Sequence, residues 1–452
     1  PPRIAPMRLR VWCLALLVLV AVPRVASAQG LLDKLSELFI FGPGEDPLFL
    51  AGSGNPNNPT SLRVHGTHFI PSAVGSNGTI IDFLSTSITT NVAQIPVSAT
   101  SGGITFRFEG GVPVRTSRSA GPIFGERAQT LGRGRVLAGA NRTGISFRTL
   151  RGVDLHDLRL TFTHENVDFD GCDSVAGGDC TLMGVPNVEN DAIDVNLSLD
   201  VDLSVTSFYL TYGVLDKLDI GVVLPIVHTS FRGESRAQII PFGGPPVAHF
   251  FGGTPEDPVL TASRFEEGSA TGLGDVAVRV KVNARDREPV AVAFLADARF
   301  PTGSEADLLG SGDFAARGLG IVSAQFGQFA PHANVGYLYR GGSMTNDAVL
   351  ASVGFDNLIA PWATLAADLI SELQVGTSKL MVPGTVVYDA PFHRTVQPTD
   401  IPNVRDDIVD ASLGVKLTAA TGLTVIANAE WPLNRGGLRP NVIWTAGLEY
   451  NF

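Results

Sequence analysis

Residues 193–205 read IDVNLSLDVDLSV, and this run decides the fold class. Its odd positions are Ile193, Val195, Leu197, Leu199, Val201, Leu203 and Val205. Its even positions are Asp194, Asn196, Ser198, Asp200, Asp202 and Ser204. Side chains of a strand alternate faces with a period of two, so one face is aliphatic and the other polar. The alternation runs on toward Tyr212. That is longer than the roughly 5–6 residues of a globular strand and exceeds the ~9–11 that cross a bilayer at a tilt. The run is expected to turn its aliphatic face to lipid and its polar face to a wet interior.

Working outward, the pattern recurs. Val276, Val278, Val280 and Val282 oppose Ala277, Arg279 and Lys281; Val292, Phe294, Ala296, Ala298 and Phe300 oppose Asp297 and Arg299. Leu413, Val415 and Leu417 oppose Ser412 and Lys416, and the last run sets Val442, Trp444, Ala446, Leu448, Tyr450 and Phe452 against Asn441, Thr445, Glu449 and Asn451. A charge at the lipid-facing midplane of a barrel costs roughly 2–4 kcal/mol, so the charged face must be the inner one. The candidate lumen residues are therefore Arg159, Asp194, Asp200, Asp202, Arg279, Lys281, Asp297, Arg299, Asp368, Glu372, Lys416 and Glu449. Their mixed signs point to a salt-bridged interior, with a selectivity role for Asp194, Asp200 and Asp202 as the sharper alternative.

Connection lengths test the same reading. Strands are predicted at 103–109, 135–150, 155–166, 192–212, 218–231, 272–284, 289–300, 313–326, 329–340, 346–357, 361–374, 406–419, 422–431 and 439–452. Short turns such as 214–217, 285–288, 327–328 and 420–421 alternate with longer links such as 167–191, 232–271 and 375–405. Outer-membrane barrels alternate short periplasmic turns with longer outer loops. The expected fold is all-β, a transmembrane antiparallel β-barrel of about 14 strands over 103–452, with 12 or 16 as the alternatives.

Composition agrees. Mean hydropathy is positive (+0.20) and charged residues make up 17% of the 452, yet no apolar run approaches the ~20 residues of a membrane helix. The net charge of −11 offers no basic stripe for phosphates, so no nucleic-acid partner is expected. Arg8 and Arg10, the apolar run Val11 to Val22 and the small residues Ala26-Ser27-Ala28 form an export signal over 1–28, with Met7 as initiator and 1–6 as upstream read-through. Within 29–102, Leu31, Leu32, Leu35, Leu38 and Phe39 recur at helical spacing, and a second helix is expected over Ile80 to Val92. This mainly helical or irregular segment is expected to plug the lumen or to hang on the periplasmic side. Cys172 and Cys180 sit in the polar stretch DFDGCDSVAGGDC and are expected to form a disulfide in an oxidising compartment. Asp168, Asp170 and Asp173 there have the opening rhythm of a calcium loop without its later Glu, so a solvated acidic loop is the plainer reading. Pro225, lacking a backbone N–H, predicts a local kink.

The runs TYGVLDKLDIGVVLPIV (211–227), GLGDVAVRVK (272–281), RFPTGSEADLLGSG (299–312) and PHANVGY (331–337) resemble the outer-membrane proteins associated with phenol meta-cleavage pathways, as does the upstream run GGITFRFEGG…SAGPIFGERAQTLGRGRVLAGA. Those proteins are similar to the long-chain fatty-acid and toluene transporter group. The resemblance implies an outer-membrane barrel with an N-terminal hatch, for passive uptake of hydrophobic or aromatic small molecules. A porin-like or structural barrel is the alternative. The alternating last strand ending in Tyr450 and Phe452 looks like the signal read by the barrel-assembly machinery. His228 and Ser230 share a face but have no acidic orienter or G-x-S-x-G beside them, so no enzyme is expected, and no cofactor or metal. The expected partners are outer-membrane lipid, that machinery and a small apolar solute.

Overall fold

The computed structural model describes residues 30–41, 84, 86–88, 106–109, 112–115, 119–163, 191–247, 249–343, 345–380, 382, 384–388, 393–419 and 422–452. Twelve antiparallel strands close into a barrel. They are β1 (Val136–Leu150), β2 (Ala192–Leu215), β3 (Leu218–Ile240), β4 (Val276–Arg287), β5 (Val290–Phe300), β6 (Ala315–Ala324), β7 (Phe329–Arg340), β8 (Ala348–Ala360), β9 (Ala363–Gln374), β10 (Ile408–Thr418), β11 (Leu423–Pro432) and β12 (Leu438–Asn451). Each pairs with its sequence neighbour, and β12 closes the ring on β1, with Leu448 opposite Ala140. Closure leaves no open edge in lipid, which is why a sheet can span a bilayer only as a barrel.

Fourteen strands are expected from the sequence and twelve form the ring. Residues 106–109 pair with 112–115 in a separate two-stranded hairpin. Leu158–Thr163 pairs with the far half of β2, at Leu197 to Ala192, and bridges Thr399 from Leu160, continuing the line of β1 without crossing a membrane. Neither run could have been excluded by pattern, because an amphipathic strand alternates wherever it lies. The connections still alternate short and long around the twelve.

The outer face carries an apolar belt. Val278, Val280 and Val282 of β4 are exposed, as are Phe294 of β5, Val335 and Tyr337 of β7, Leu413 of β10 and Trp444 and Leu448 of β12. Between them Arg279, Lys281, Asp297, Lys416 and Glu449 are buried inside.

The deciding run has the opposite facing. Ile193, Val195, Leu197, Leu199, Val201, Leu203 and Val205 are buried in the interior. Asp194, Asn196, Asp200 and Asp202 point outward, and Arg159 does so beside them. Lower on the same strand the outward even positions are Phe208, Leu210 and Tyr212, all exposed, while Ser207, Tyr209 and Thr211 face in. The outer face of β2 thus changes from polar to apolar near Thr206 with no change of register. On β3 the change falls between His228 and Ile226, and Thr206 pairs with Ile226. Both strands cross the same level there, which we read as the membrane surface. Strands of 24 and 23 residues at about 3.3 Å per residue far exceed a ~30 Å hydrocarbon core. Beyond the belt, with Leu158–Thr163 and Thr261–Leu273 alongside, they form a four-stranded extension bathed in water outside.

Thr261–Leu273 and β4 both pair with β3, one along its far half and one along its near half. From Leu273 to Ala277 there are four steps against three from Ile226 to Val223, so the extra residue lies within 274–276, opposite Pro225, whose carbonyl accepts the Gly274 N–H at 2.9 Å. The kink expected at Pro225 is absent from its own strand, which pairs in register with Ser207 of β2; the irregularity lies in the segment opposite it.

The inner face of the extension is filled by helix α1 (Leu31–Glu37) and the turn after it. A helix this short is unstable alone. Leu31, Leu35, Leu38 and Phe39 bury themselves against the rows of Leu199 and Phe231, each contributing roughly 1.5–3 kcal/mol. Leu84 and Ile88, both helical, join the same cluster, and the rest of the helix expected over 80–92, apart from 86 and 87, lies outside the described residues. This filling sits at the long-connection end, opposite the short turns. Residues 1–28, Cys172, Cys180 and the acidic loop 168–179 lie outside the described residues.

Candidate functional site

Residues 119–131 run through the lumen near the short-turn end and are tied to the wall strand by strand. Glu126 N–H donates to Asn334 Oδ1 at 2.8 Å, and Asn334 Nδ2 donates back to the Glu126 carbonyl at 2.9 Å. The Ala120 N–H meets Thr364 Oγ1 at 2.9 Å, Ala128 N–H meets Ser323 Oγ at 3.1 Å, and Leu131 N–H meets Asp219 Oδ2 at 2.9 Å. Inside a barrel such a segment has no strand partner, so side chains must satisfy its backbone.

The strongest tie is ionic. Arg127 donates through Nε to Asp356 Oδ1 at 2.9 Å and through Nη2 to Oδ2, and Ser119 Oγ also donates to Asp356. Arg127 and Asp356 are almost wholly buried. Gly125 passes over the pair His332–Asp368, joined at 2.6 Å. A Cβ at Gly125 would lie 2.2 Å from His332 Nε2, so only glycine permits the approach. The segment leaves the lumen through Gly132 and Gly134, both at positive φ, and a Cβ at Gly213 would sit 1.9 Å from the Gly132 carbonyl oxygen.

Above this floor lies a cavity of about 220 Å³. Phe124 and Glu126 form its base and Thr86 reaches it from the other end. One wall, on β4 to β6, carries Arg279, Asp297, Arg299 and Arg317; the facing wall, on β10 to β12, carries Asp410, Glu430 and Arg439; Arg340 and Glu372 stand between. Arg317 hydrogen-bonds Asp297, Arg279 approaches it at 3.3 Å, and Arg299 stands 4.0 Å away. Arg340 pairs with Glu372 and Arg439 with Asp410. Leu319, Leu338, Leu350, Ile370 and Ile443 supply an apolar lining between the charges.

Of the lumen residues expected from sequence, Arg279, Lys281, Asp297, Arg299, Asp368, Glu372, Lys416 and Glu449 face the interior. Lys281 Nζ meets Glu126 Oε2 at 3.2 Å, and Lys416 Nζ meets Glu449 Oε1 at 3.4 Å. Arg159, Asp194, Asp200 and Asp202 do not: they face water on the outside of the extension, where solvent replaces lipid and polar side chains belong outward. Asp194 receives a hydrogen bond from Thr161 Oγ1 at 2.6 Å, and His156 Nε2 lies 2.8 Å from Asp200. His228 also faces outward, meeting Thr271 Oγ1 at 2.7 Å.

Sequence reasoning missed Glu126, Arg127, Asn334, Asp356 and Arg317. The signal was available in the resembling runs: GERAQ supplies the floor, and PHANVGY supplies His332 and Asn334 that hold it. GLGD and PTGSEADLLGSG also meet. Asp275 accepts the N–H groups of Gly303 and Ser311 at 3.1 and 2.8 Å, folding the loop inward so that Leu32 N–H reaches the Ala306 carbonyl at 3.0 Å.

An apolar belt around a closed ring and a polar, internally occupied lumen define a membrane-spanning β-barrel. Residues 184–352 match the family described as "Putative MetA-pathway of phenol degradation", and the resemblance read from the sequence holds over them. No curated protein matches the chain. Among solved structures, an outer membrane channel from Pseudomonas putida F1 is 10% identical, with 72% of this chain and 98% of that one covered and a TM-score of 0.39. The toluene transporter TbuX from Ralstonia pickettii is 10% identical over 71% and 89%, at 0.32. A FadL homologue from Pseudomonas aeruginosa is 11% identical over 70% and 89%, at 0.30. At these TM-scores the likeness carries no argument about this chain.

Proposed function

We propose that this protein is an outer-membrane channel that lets small hydrophobic or aromatic molecules move inward down their gradient. One observation carries the reading: inside a lipid-facing wall lies a cavity that is part apolar and part charged. Its floor, residues 119–131, is held by side-chain contacts that can be released without unpairing a strand. The family description, with its reference to phenol degradation, supports an aromatic solute.

In this reading residues 1–28 direct export and are removed, 29–102 plug the far end of the lumen, and 103–452 make the barrel. Arg279, Lys281, Asp297, Arg299, Asp368, Lys416 and Glu449 line the solute path. Cys172 and Cys180 clip an outer loop, and Tyr450 and Phe452, whose rings stack edge to face at 4.7 Å, address the assembly machinery. The protein transports and does no chemistry on its solute.

The test is uptake of phenol, sugars and salts into vesicles holding the purified protein, against protein-free vesicles of the same lipid. Phenol entry accelerated above that of sugars and salts is the expected result. Equal acceleration of all three would make it a general pore, and no acceleration would leave a structural barrel.

A further inference from the structure

The cavity wall on β4 to β6 holds more positive charge than its own carboxylate can use. Arg279, Arg299 and Arg317 surround the single carboxylate Asp297. Only Arg317 hydrogen-bonds it; Arg279 Nε stands 3.3 Å from Asp297 as an ion pair without a hydrogen bond, and Arg317 Nε makes no hydrogen bond. The Arg279 side chain is 5% exposed and lines the cavity, with its other carboxylate, Glu126, 3.9 Å away and already held by Lys281. Arg299 makes no hydrogen bond among the described residues, and its side chain is 11% exposed. A buried guanidinium with unspent donors is costly unless an anion reaches it. Its planar fork matches a carboxylate in two parallel bonds.

The rest of the cavity says what such an anion must look like. Across from the arginines, Arg439 is matched by Asp410 with Glu430 beside it, and Arg340 by Glu372. There each arginine has a carboxylate of its own, so the surplus of guanidinium over carboxylate lies on β4 to β6. Between lie Phe124, Leu319, Leu338, Leu350, Ile370 and Ile443, which suit an apolar body. A volume of about 220 Å³ fits one ring with a small substituent, since a cavity of roughly 150 Å³ already takes benzene.

We propose that Arg279, Arg299 and Arg317 form a carboxylate-binding subsite, and that the cavity takes a small monocarboxylate with a single-ring apolar body, carboxylate toward β4 to β6. The subsite deepens the channel reading and rests on it for its role in transport. Binding itself can be measured without flux.

The experiment is equilibrium dialysis of benzoate, and of benzyl alcohol as its uncharged counterpart, against the full chain in detergent. Folding is checked by strand-rich circular dichroism. Wild-type protein is expected to bind benzoate at least tenfold more tightly than benzyl alcohol, and Arg299→Gln to lose most of that preference, with Arg299→Lys between them. Equal binding of the two ligands by wild-type protein overturns the subsite, and does so even if the variants fail to fold. Benzoate binding unchanged in folded Arg299→Gln overturns it as well. Benzoate bound tightly, with no aromatic flux in vesicles, would remove the channel reading and leave the subsite standing.

Discussion

Removing the Asp356 carboxylate should release the floor of the lumen. Asp356 accepts three hydrogen bonds, two from Arg127 and one from Ser119, and both ionic partners are buried. Breaking a buried pair by deleting one partner costs about 3–5 kcal/mol, because the other charge stays in a dry site. The Arg127 guanidinium can escape that cost only if residues 119–131 leave the wall. With tenfold per 1.4 kcal/mol, Asp356→Ala should raise the undocked population by about two to three and a half orders of magnitude. Hydrogen exchange reads this directly, since the amides of Glu126 and Ala128 are held by Asn334 and Ser323 and exchange through local opening. Exchange across 119–131 should accelerate by that factor while β10 to β12 keep their protection. The double variant Arg127→Ala/Asp356→Ala should be less open than Asp356→Ala alone, because it buries no unpaired charge. Unchanged exchange in Asp356→Ala, or additive effects in the double variant, would refute the argument.

The apolar outer face of β4 and the polar outer face of the far half of β2 and β3 give a paired test. Val280→Arg, in the belt, should lower folding yield into lipid and cost about 2–4 kcal/mol, whereas Gln238→Arg, exposed on the watered extension, should shift stability by no more than ~0.5 kcal/mol; equal losses would end the assignment of the two zones. Asp275→Ala orphans two backbone donors, at about 1–3 kcal/mol, and should expose loop 301–312 to protease, with an unchanged digestion pattern as the contrary result. His156 lies beyond the belt between Asp200 at 2.8 Å and Asp154 at 3.1 Å, and its hydrogen bond with Asp200, then that with Asp154, raises its pKa. A raised folded pKa means stabilisation fully present below the unfolded value of about 6.5 and lost as pH rises through the folded one. NMR titration should find His156 titrating above a free histidine, and Asp200→Asn should move it down; a pKa at or below the free value would contradict this.

Much of the fold was legible in the chain. Alternation of period two marked the strands, the order of short and long connections survived the correction from fourteen strands to twelve, and Arg279, Asp297, Lys416 and Glu449 were identified as inward from their neighbours' grease. The floor was not legible as a site. Arg127 and Asp356 are 229 positions apart, and no local pattern marks a segment whose backbone is satisfied by side chains of other strands.

What the sequence alone determined is that each strand has two unlike faces. It could not say which medium either face meets. Residues 193–205 show why: an aliphatic row faces lipid where the outside is a bilayer, and faces inward where the outside is water and α1 fills the interior. Only the tertiary structure sets the height of each residue against the belt, and the sign of the whole pattern follows from that height.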